Sequence, residues 1–319
     1  MIKFFLKKLL EYFVILLVVS FIMFFMIHLS PTDPVSVILG GKASTAEQIA
    51  NARAKFHLDE PLVVQYFLWL KGVVQGDFGI SYKYQTSVLD SIAARAPITM
   101  GLVIGAFIIS ICVAIPMGVF SAMKKNSLAD RFITLTSLLL SAIPPFLVSI
   151  IIVLILSRVA PSFPVTGGYS GVDGYIQRIF FPCIALALGR ITIISRITRS
   201  GMAEQLDSAY VETAIAKGMP RKTVVFKHAL RHAIIPVLSI LSVQVGAMIV
   251  GAVLVESVFS LSGIGTLLID SIKSSDYPVV QAIILILVAI FLISSTVADL
   301  LYTVIDPRIR TGSGKKVEA

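Results

Sequence analysis

The chain has 319 residues, of which 56% are hydrophobic and 14% charged, and its mean hydropathy is +0.92. Soluble domains carry about 25% charged residues, so this composition excludes a soluble globular protein and indicates an integral membrane protein. The net charge is +9. Its basic residues are not interleaved with aromatic residues on one soluble face, which excludes a nucleic-acid-binding protein.

Long apolar runs define the expected spans. A helix needs about 20 mostly apolar residues to cross the hydrocarbon core, and these runs are too long and continuous for the alternating strands of a barrel. We therefore predict an all-α membrane protein with about six transmembrane helices. The runs cover residues 11–29, 98–123, 132–157, 179–197, 233–255 and 279–305.

The first run follows three lysines and so looks like a secretory signal, but no small-x-small cleavage pattern comes after it. We expect residues 1–30 to form an uncleaved first helix. Most basic residues fall on one side if both termini are cytoplasmic, in agreement with the positive-inside rule. Cys112 and Cys183 lie in different apolar runs, where a thiol behaves as a small hydrophobe, so we expect no disulfide.

Residues 31–96 form an external excursion. We predict helices over residues 45–56 and 62–74, the first capped by Ser44 or Thr45. Gly76 and Gly79 predict a turn that ends the second helix, although a ligand contact is an alternative. The remaining membrane core covers residues 97–310, and residues 311–319 are expected to be a flexible tail.

A second polar segment, residues 199–232, lies between the fourth and fifth runs on the cytoplasmic side. We predict a short helix there that Asp207 or Ser208 caps and that Gly218 and Pro220 end. Small residues make this helix thin, which suits docking into a cleft of another protein. An amphipathic helix lying on lipid is the alternative, and only Tyr210 and Val211 fit that pattern.

This segment resembles the cytoplasmic signature of permease subunits of bacterial ABC importers, in which a glutamate, two small residues, three others and a glycine recur. The matching residues are Glu212, Thr213, Ala214 and Gly218. The following residues, 228–236, are similar to the version found in the dipeptide, oligopeptide and nickel permease family. Further short motifs occur in the same order as in that family, at residues 30–34, 58–62, 65–66, 69–70, 76–81, 276–281 and 306–308.

The chain also departs from the family pattern. Position 212 is often basic in peptide permeases, position 232 is often asparagine, and Leu261 and Ser262 replace a common tryptophan-proline pair. These departures leave the family resemblance intact but weaken any inference about the substrate. Peptides and nickel or metallophores stay equally open.

The resemblance implies a type I importer-like transport subunit of the bacterial inner membrane, not an enzyme, with no catalytic or metal site. Its implied partners are a second homologous permease subunit, in a heterodimer, two ATPase subunits and an external solute-binding protein. The ATPase-coupling residues would be Tyr210, Glu212, Thr213, Ala214, Lys217 and Gly218. Gly312 to Lys316 lacks the spacing of a phosphate loop, so we expect no cofactor in this chain, with ATP and Mg²⁺ bound by the partner ATPases.

We expect transport by alternating access, with rigid-body rocking around a central path. Pro116, Pro144, Pro145 and Pro236 lie inside apolar runs, where they remove helical hydrogen bonds and are candidates for gating bends. Ordinary packing is the alternative for each of them.

Few ionisable residues lie in apolar surroundings. We expect Glu256 at the outer boundary, His28 at an interface, and Asp299 capping a helix or pairing with Arg190 or Arg196. His228 and His232 have the spacing of metal ligands, but they lie in a strongly basic neighbourhood without a glutamate between them, which disfavours a zinc enzyme.

The sequence also lacks the features of two other classes of membrane protein. An intramembrane protease needs a serine-histidine pair or metal motifs within the spans, whereas the four histidines lie near boundaries or outside. A proton-driven secondary transporter needs paired acidic or histidine residues deep in the bundle and usually an inverted repeat. The sequence shows neither feature.

Overall fold

The computed structural model describes residues 2–29, 34–39, 45–161 and 171–305. These ranges are helical, with an isolated bridge between Ile80 and Ser87, which confirms the prediction of an all-α membrane protein. The helices are α1 Ile2–His28, α2 Pro34–Ile38, α3 Ala46–Lys55, α4 Leu62–Val74, α5 Val88–Ala93, α6 Ala96–Met123, α7 Leu128–Ser141, α8 Pro145–Val159, α9 Gly171–Leu206, α10 Ala209–Ala216, α11 Arg221–Thr223, α12 Leu230–Val258, α13 Ile264–Lys273 and α14 Tyr277–Ile305. A π-helical turn, Val224–Ala229, joins α11 to α12.

Five stretches in the described part of the chain are long and apolar enough to cross a membrane. They are residues 8–28 in α1, 88–123 in α5 and α6, 171–206 in α9, 221–241 from α11 into α12, and 277–297 in α14. The third predicted span, residues 132–157, is not one helix. It divides into α7 and α8, which are bent by 99°. The break occurs because Pro144 and Pro145 follow one another: proline lacks the amide hydrogen that a continuing helix needs and restricts the residue before it.

The other two bend candidates differ from this pair. Pro116 and Pro236 lie inside helices that continue past them, α6 and α12. Pro182 lies inside α9 in the same way and was not among the predicted candidates. A gating role remains a prediction for all four predicted prolines.

The chain falls into two compact units, residues 1–99 with 262–292 and residues 100–261 with 293–319. In the first unit the predicted helices of the excursion are confirmed as α3 and α4. Thr45 caps α3 in a capping box with Gln48. Gly76 and Gly79 both have positive φ just after α4 ends, as the predicted turn requires. Residues 30–33 and the tail from residue 306 lie outside the described part of the chain.

Asp276, immediately before α14, organises the loop that leads into α5. Its carboxylate is fully buried and accepts hydrogen bonds from the Ser81 hydroxyl at 2.5 Å and from the backbone N–H groups of Tyr82 at 2.9 Å and Lys83 at 3.3 Å. Burial and the neighbouring Asp276 carboxylate raise the pKa of the Tyr82 phenol. Asp276 therefore holds in place the loop that contains Ser81, although the two residues are 195 positions apart in the chain.

We expect Asp276→Ala to loosen this loop, because two backbone donors would lose their acceptor at a cost of about 1–3 kcal/mol each. The measurement is amide hydrogen–deuterium exchange of the segment that contains Tyr82 and Lys83, which should become faster. The matched control is Asp270→Ala, which removes an exposed carboxylate on α13 and should leave the exchange unchanged. Equal exchange in wild type and Asp276→Ala would contradict this assignment.

In the second unit, α9 is the central helix, with α7, α8 and α12 packed along it. Close approach of α6 to α9 depends on Gly118, where a Cβ atom would lie 2.6 Å from the carbonyl oxygen of Ser195. The ends of α6 and α9 therefore meet near the position where α10 begins.

Candidate functional site

The short helix predicted between the fourth and fifth runs is α10, Ala209–Ala216. Gly218 ends it with φ of +74°. Its N–H donates to the carbonyl of Ile215 at 2.9 Å, and the N–H of Met219 donates to the carbonyl of Ala214 at 3.2 Å. This is the left-handed helix stop that glycine makes without steric cost, and it confirms the predicted end of the helix.

The predicted side-chain cap at the start of α10 is wrong. Ser208 occupies the cap position, but its hydroxyl donates to the carbonyl oxygen of Gln205 in the last turn of α9. The Asp207 carboxylate instead accepts a hydrogen bond from Lys125 Nζ at 2.7 Å. Because an ammonium group is a stronger partner for a carboxylate than a neutral amide, Asp207 ties the end of α9 to the α6–α7 loop.

One face of α10 is buried against the protein. Val211 is 1% exposed and Ala214 is 9% exposed. Both belong to a hydrophobic cluster built from α6, α9, α10, the π-helical turn and α12, whose other buried members are Val119, Ala122, Met202, Val224, Val225, Ala229 and Ala233. The apolar side of this helix is therefore already covered by its own chain.

The remaining surface of α10 is open, and we call it the open face. Ile215 is 58% exposed and Tyr210 is 40% exposed. Of the other predicted coupling residues, Ala214 is the buried one, and the exposed ones are Glu212, Thr213, Lys217 and Gly218. The open face thus presents one carboxylate, one ammonium group and an apolar side chain, a mixture typical of protein interfaces rather than of a lipid-facing surface.

A groove of about 470 Å³ runs beside α10. Its walls come from the ends of α6 and α9, from α10 itself and from the turn into α12. Both Ile215 and the ion pair between Lys125 and Asp207 line it. The groove and the open face of α10 form one continuous surface at one end of the second unit, which we call the α10 surface.

An ion pair between a buried carboxylate and a half-buried guanidinium supports this end of the unit. Arg199 near the end of α9 donates from Nε and Nη2 to the two carboxylate oxygens of Asp130 in the first turn of α7, at 2.5 and 2.6 Å. Asp130 also accepts from the Ser121 hydroxyl on α6 at 2.5 Å and from the Asn126 N–H at 2.9 Å. A bidentate guanidinium–carboxylate contact fixes orientation as well as distance, so three helix ends are held together.

The sequence analysis did not identify this ion pair. Asp130 and Arg199 are far apart in the chain, and both lie just outside the longest apolar runs. The sequence feature closest to this ion pair is Ser127, which caps α7 and accepts a hydrogen bond from the Asp130 N–H. That pattern predicts a helix start, but it does not predict which cation the carboxylate meets.

The other ionisable candidates occupy separate places. His28 is the last residue of α1, stacked on Phe24. Glu256 lies within α12 and is fully buried, whereas the sequence placed it after the fifth span at a boundary. The His232 ring contacts Tyr210 edge-on, and His228 lies in the π-helical turn. The side chain of Asp299 lies outside the described residues.

This architecture defines a multi-pass helical membrane protein with a short, partly exposed helix, α10, between two of its spans. Residues 114–311 match the family model of the binding-protein-dependent transport system inner membrane component, and residues 1–103 match the model of the N-terminal part of such membrane components. The chain belongs to this family. It is a permease subunit of a binding-protein-dependent ABC importer in the bacterial inner membrane, not itself an enzyme, and it works with ATPase and binding-protein partners.

Relatives of known name align over nearly the whole chain. The oligopeptide transport system permease protein OppB of Salmonella typhimurium is 35% identical over 97% of this chain and 100% of its own length. The probable peptide ABC transporter permease protein y4tP of Sinorhizobium fredii is 34% identical, covering 96% and 98%. The oligopeptide transport system permease protein AppB of Bacillus subtilis is 36% identical, covering 92% and 95%.

We expect Arg199→Gln to destabilise the second unit by about 3–5 kcal/mol, because it leaves the Asp130 carboxylate buried without its cation. Thermal unfolding of the purified protein in detergent measures this effect. Adding Asp130→Asn to the same chain should recover much of the loss, since the unpaired charge is removed. The control is Lys125→Met, which breaks an exposed pair and should cost less than about 1 kcal/mol. Equal losses in Arg199→Gln and Lys125→Met would refute the proposed support.

Proposed function

We propose that this permease imports short peptides and that α10 couples its movement to ATP hydrolysis on separate ATPase subunits. The single observation that carries the coupling proposal is the division of α10 into two faces. Its apolar face packs on its own chain through Val211 and Ala214. What remains open is a short, mixed surface that suits a cleft in another protein.

The alternative of a helix resting on lipid fits this arrangement poorly. An interfacial helix inserts its apolar face among the acyl chains and directs a basic face to water. In α10 the apolar side chains of Val211 and Ala214 are buried against the protein's own chain, and the open face carries both Glu212 and Lys217. A carboxylate on that face gains nothing from an anionic membrane surface.

A helix that transmits force needs a firm attachment. The eight residues of α10 span about 12 Å, and contacts hold both of its ends. The Arg199–Asp130 pair holds the end of α9 to the α6–α7 junction, and the exposed Lys125–Asp207 pair adds a weaker contact there. Beyond α10, the π-helical turn packs into the same cluster and continues into α12. A push on the α10 surface would therefore reach α6, α7, α9 and α12 together.

The same contacts support the proposed topology. The end of α6, the start of α7 and the end of α9 lie at one end of the second unit, as the two ion pairs require. A chain that crosses with α6, returns with the α7–α8 pair and crosses again with α9 has this arrangement. We propose that this end, with both chain termini, faces the cytoplasm, in agreement with the basic residues near it.

The cargo proposal rests on the relatives. Those aligned over nearly the full chain are named as oligopeptide or peptide permeases, so we favour peptides over nickel or metal chelates. Family membership favours an ATP-driven importer over a proton-driven secondary transporter. The proposed assembly contains a second, homologous permease subunit, two ATPase subunits that bind ATP and Mg²⁺, and an external solute-binding protein.

Gly218→Asp tests the coupling proposal. The complete complex in proteoliposomes should take up a labelled tripeptide, and this substitution should lower uptake about tenfold or more while ATP hydrolysis continues. The reason is that a new carboxylate at the end of α10 would be buried without a partner in the ATPase cleft. Uptake of the tripeptide and ATP hydrolysis are measured on the same vesicles.

Gly171→Asp is a matched control. Gly171 has φ of +72°, close to the +74° of Gly218, and at neither position does an atom of the described residues lie near the place of a Cβ. Both substitutions therefore carry the same backbone strain of about 1–2 kcal/mol, but Gly171 lies at the opposite end of α9. Normal uptake by Gly218→Asp would refute coupling through α10. If the wild-type complex takes up chelated nickel but not the tripeptide, the proposal that the cargo is a peptide is refuted.

A further inference from the structure

Arg190 places a positive charge close to the midpoint of α9, a helix that runs from Gly171 to Leu206. At 1.5 Å per residue, this position is about 25 Å from either end of the helix. Its contacts on α12, Gln244 and Ala247, are near the middle of that helix as well. Two independent helices therefore locate the guanidinium deep in the membrane, where a charge is costly and usually functional.

The described contacts of Arg190 are with neutral groups. Nη1 donates to Gln244 Oε1 at 3.0 Å, and Nη2 donates to the carbonyl oxygen of Ala247 at 3.2 Å. Nε is buried, and no acceptor reaches it within the described part of the chain. Among the described residues no carboxylate forms an ion pair with this guanidinium.

Holding α9 against α12 does not by itself account for this charge. A guanidinium has five N–H donors, and the contacts above use two of them. A neutral side chain could donate to the same two acceptors without the cost of moving a cation out of water. The positive charge and the remaining donors suit a partner that carries negative charge.

The environment of the exposed part of Arg190 narrows the identity of its negatively charged partner. The side chain is partly exposed in the isolated chain. Contact with acyl chains at this depth would be the most costly environment for a cation, so the exposed edge faces either a water-filled path or another protein chain. Solute sites of transporters commonly lie near the bilayer midplane.

We infer that Arg190 binds the carboxylate group of the transported solute midway across the membrane. This inference rests on the proposed import of peptides, each of which carries a carboxylate at its C-terminus. A planar guanidinium recognises a carboxylate through two parallel hydrogen bonds, and its charge favours this end of the peptide over a neutral amide. Gln244 and Ala247 hold the guanidinium in one orientation, so little rotamer entropy is lost when the solute binds.

The test compares a tripeptide with the same tripeptide amidated at its C-terminus. The complete complex in proteoliposomes receives each one from solute-binding protein saturated with it, and initial uptake rates give a ratio of acid to amide. Arg190→Gln should lower this ratio about tenfold, chiefly by slowing uptake of the acid, because a charge-assisted hydrogen bond is lost. Arg190→Lys, which retains the charge, should keep a preference for the acid.

Gln244→Glu provides a second variant that leaves Arg190 in place. The new carboxylate would neutralise the guanidinium with almost no change in volume, and it should lower the ratio as Arg190→Gln does. Arg131→Gln is the control, since it removes an exposed arginine on α7 and should leave the ratio unchanged. Uptake is compared only for variants whose complex inserts into the membrane and hydrolyses ATP at the normal rate.

The outcomes separate the inference from the function on which it rests. An unchanged ratio in both Arg190→Gln and Gln244→Glu would overturn the inference while peptide import stands. Equal slowing of acid and amide would also overturn it, and would indicate that Arg190 pairs with a carboxylate of a second permease subunit. Failure of the wild-type complex to take up either peptide would instead refute the proposed import of peptides.

Discussion

The hydrocarbon core of a membrane supplies no hydrogen-bond partner, so each polar group that enters it must find one within the protein. This constraint explains the arrangement of charges in the second unit. Asp130 is buried where α6, α7 and α9 meet because Arg199 and two further donors satisfy its carboxylate. Arg190 stands apart, since its described acceptors are neutral. The first arrangement holds helix ends together, and the second leaves a charge available for a passing solute.

Mechanical coupling and solute recognition share one helix in this account. α9 carries Arg190 near its midpoint and Arg199 near its end, and α10 follows directly. A partner that moves the α10 surface would therefore move the helix that holds the solute carboxylate. α12 is attached to the same hydrophobic cluster at one end and contacts Arg190 near its middle. Movement of α9 relative to α12 would thus alter the solute site without any separate transmitting element.

Local sequence signals predicted much of this fold, and most of what was missed depends on interactions between distant residues. Apolar runs and glycine stops gave α4 and α10 correctly because those features depend on neighbouring residues. The run over residues 132–157 was taken as one span, since hydrophobicity shows that a segment is apolar but not that it turns by 99°. The contacts of Asp130 with Arg199 and of Gln244 with Arg190 depend on how the helices pack together. The pattern of apolar residues within one helix carries no information about such packing. Asp207 was wrong as a cap of α10 for the same reason, because Lys125 comes from another helix end. Ser208 was wrong for a local reason, because its hydroxyl donates to the carbonyl oxygen of Gln205.

The most direct measurement of the central claim is photo-crosslinking from the α10 surface. Ile215→Cys places a thiol on the open face of α10, and Val172→Cys, 73% exposed at the far end of α9, is the control. Both are made in a chain whose two native cysteines are replaced by serine. Each is labelled with a thiol-reactive benzophenone before the ATPase subunits are added, and the assembled complex is then irradiated. We predict that position 215 forms a covalent adduct with an ATPase subunit and that position 172 does not. Adducts with lipid alone at position 215 would contradict the account.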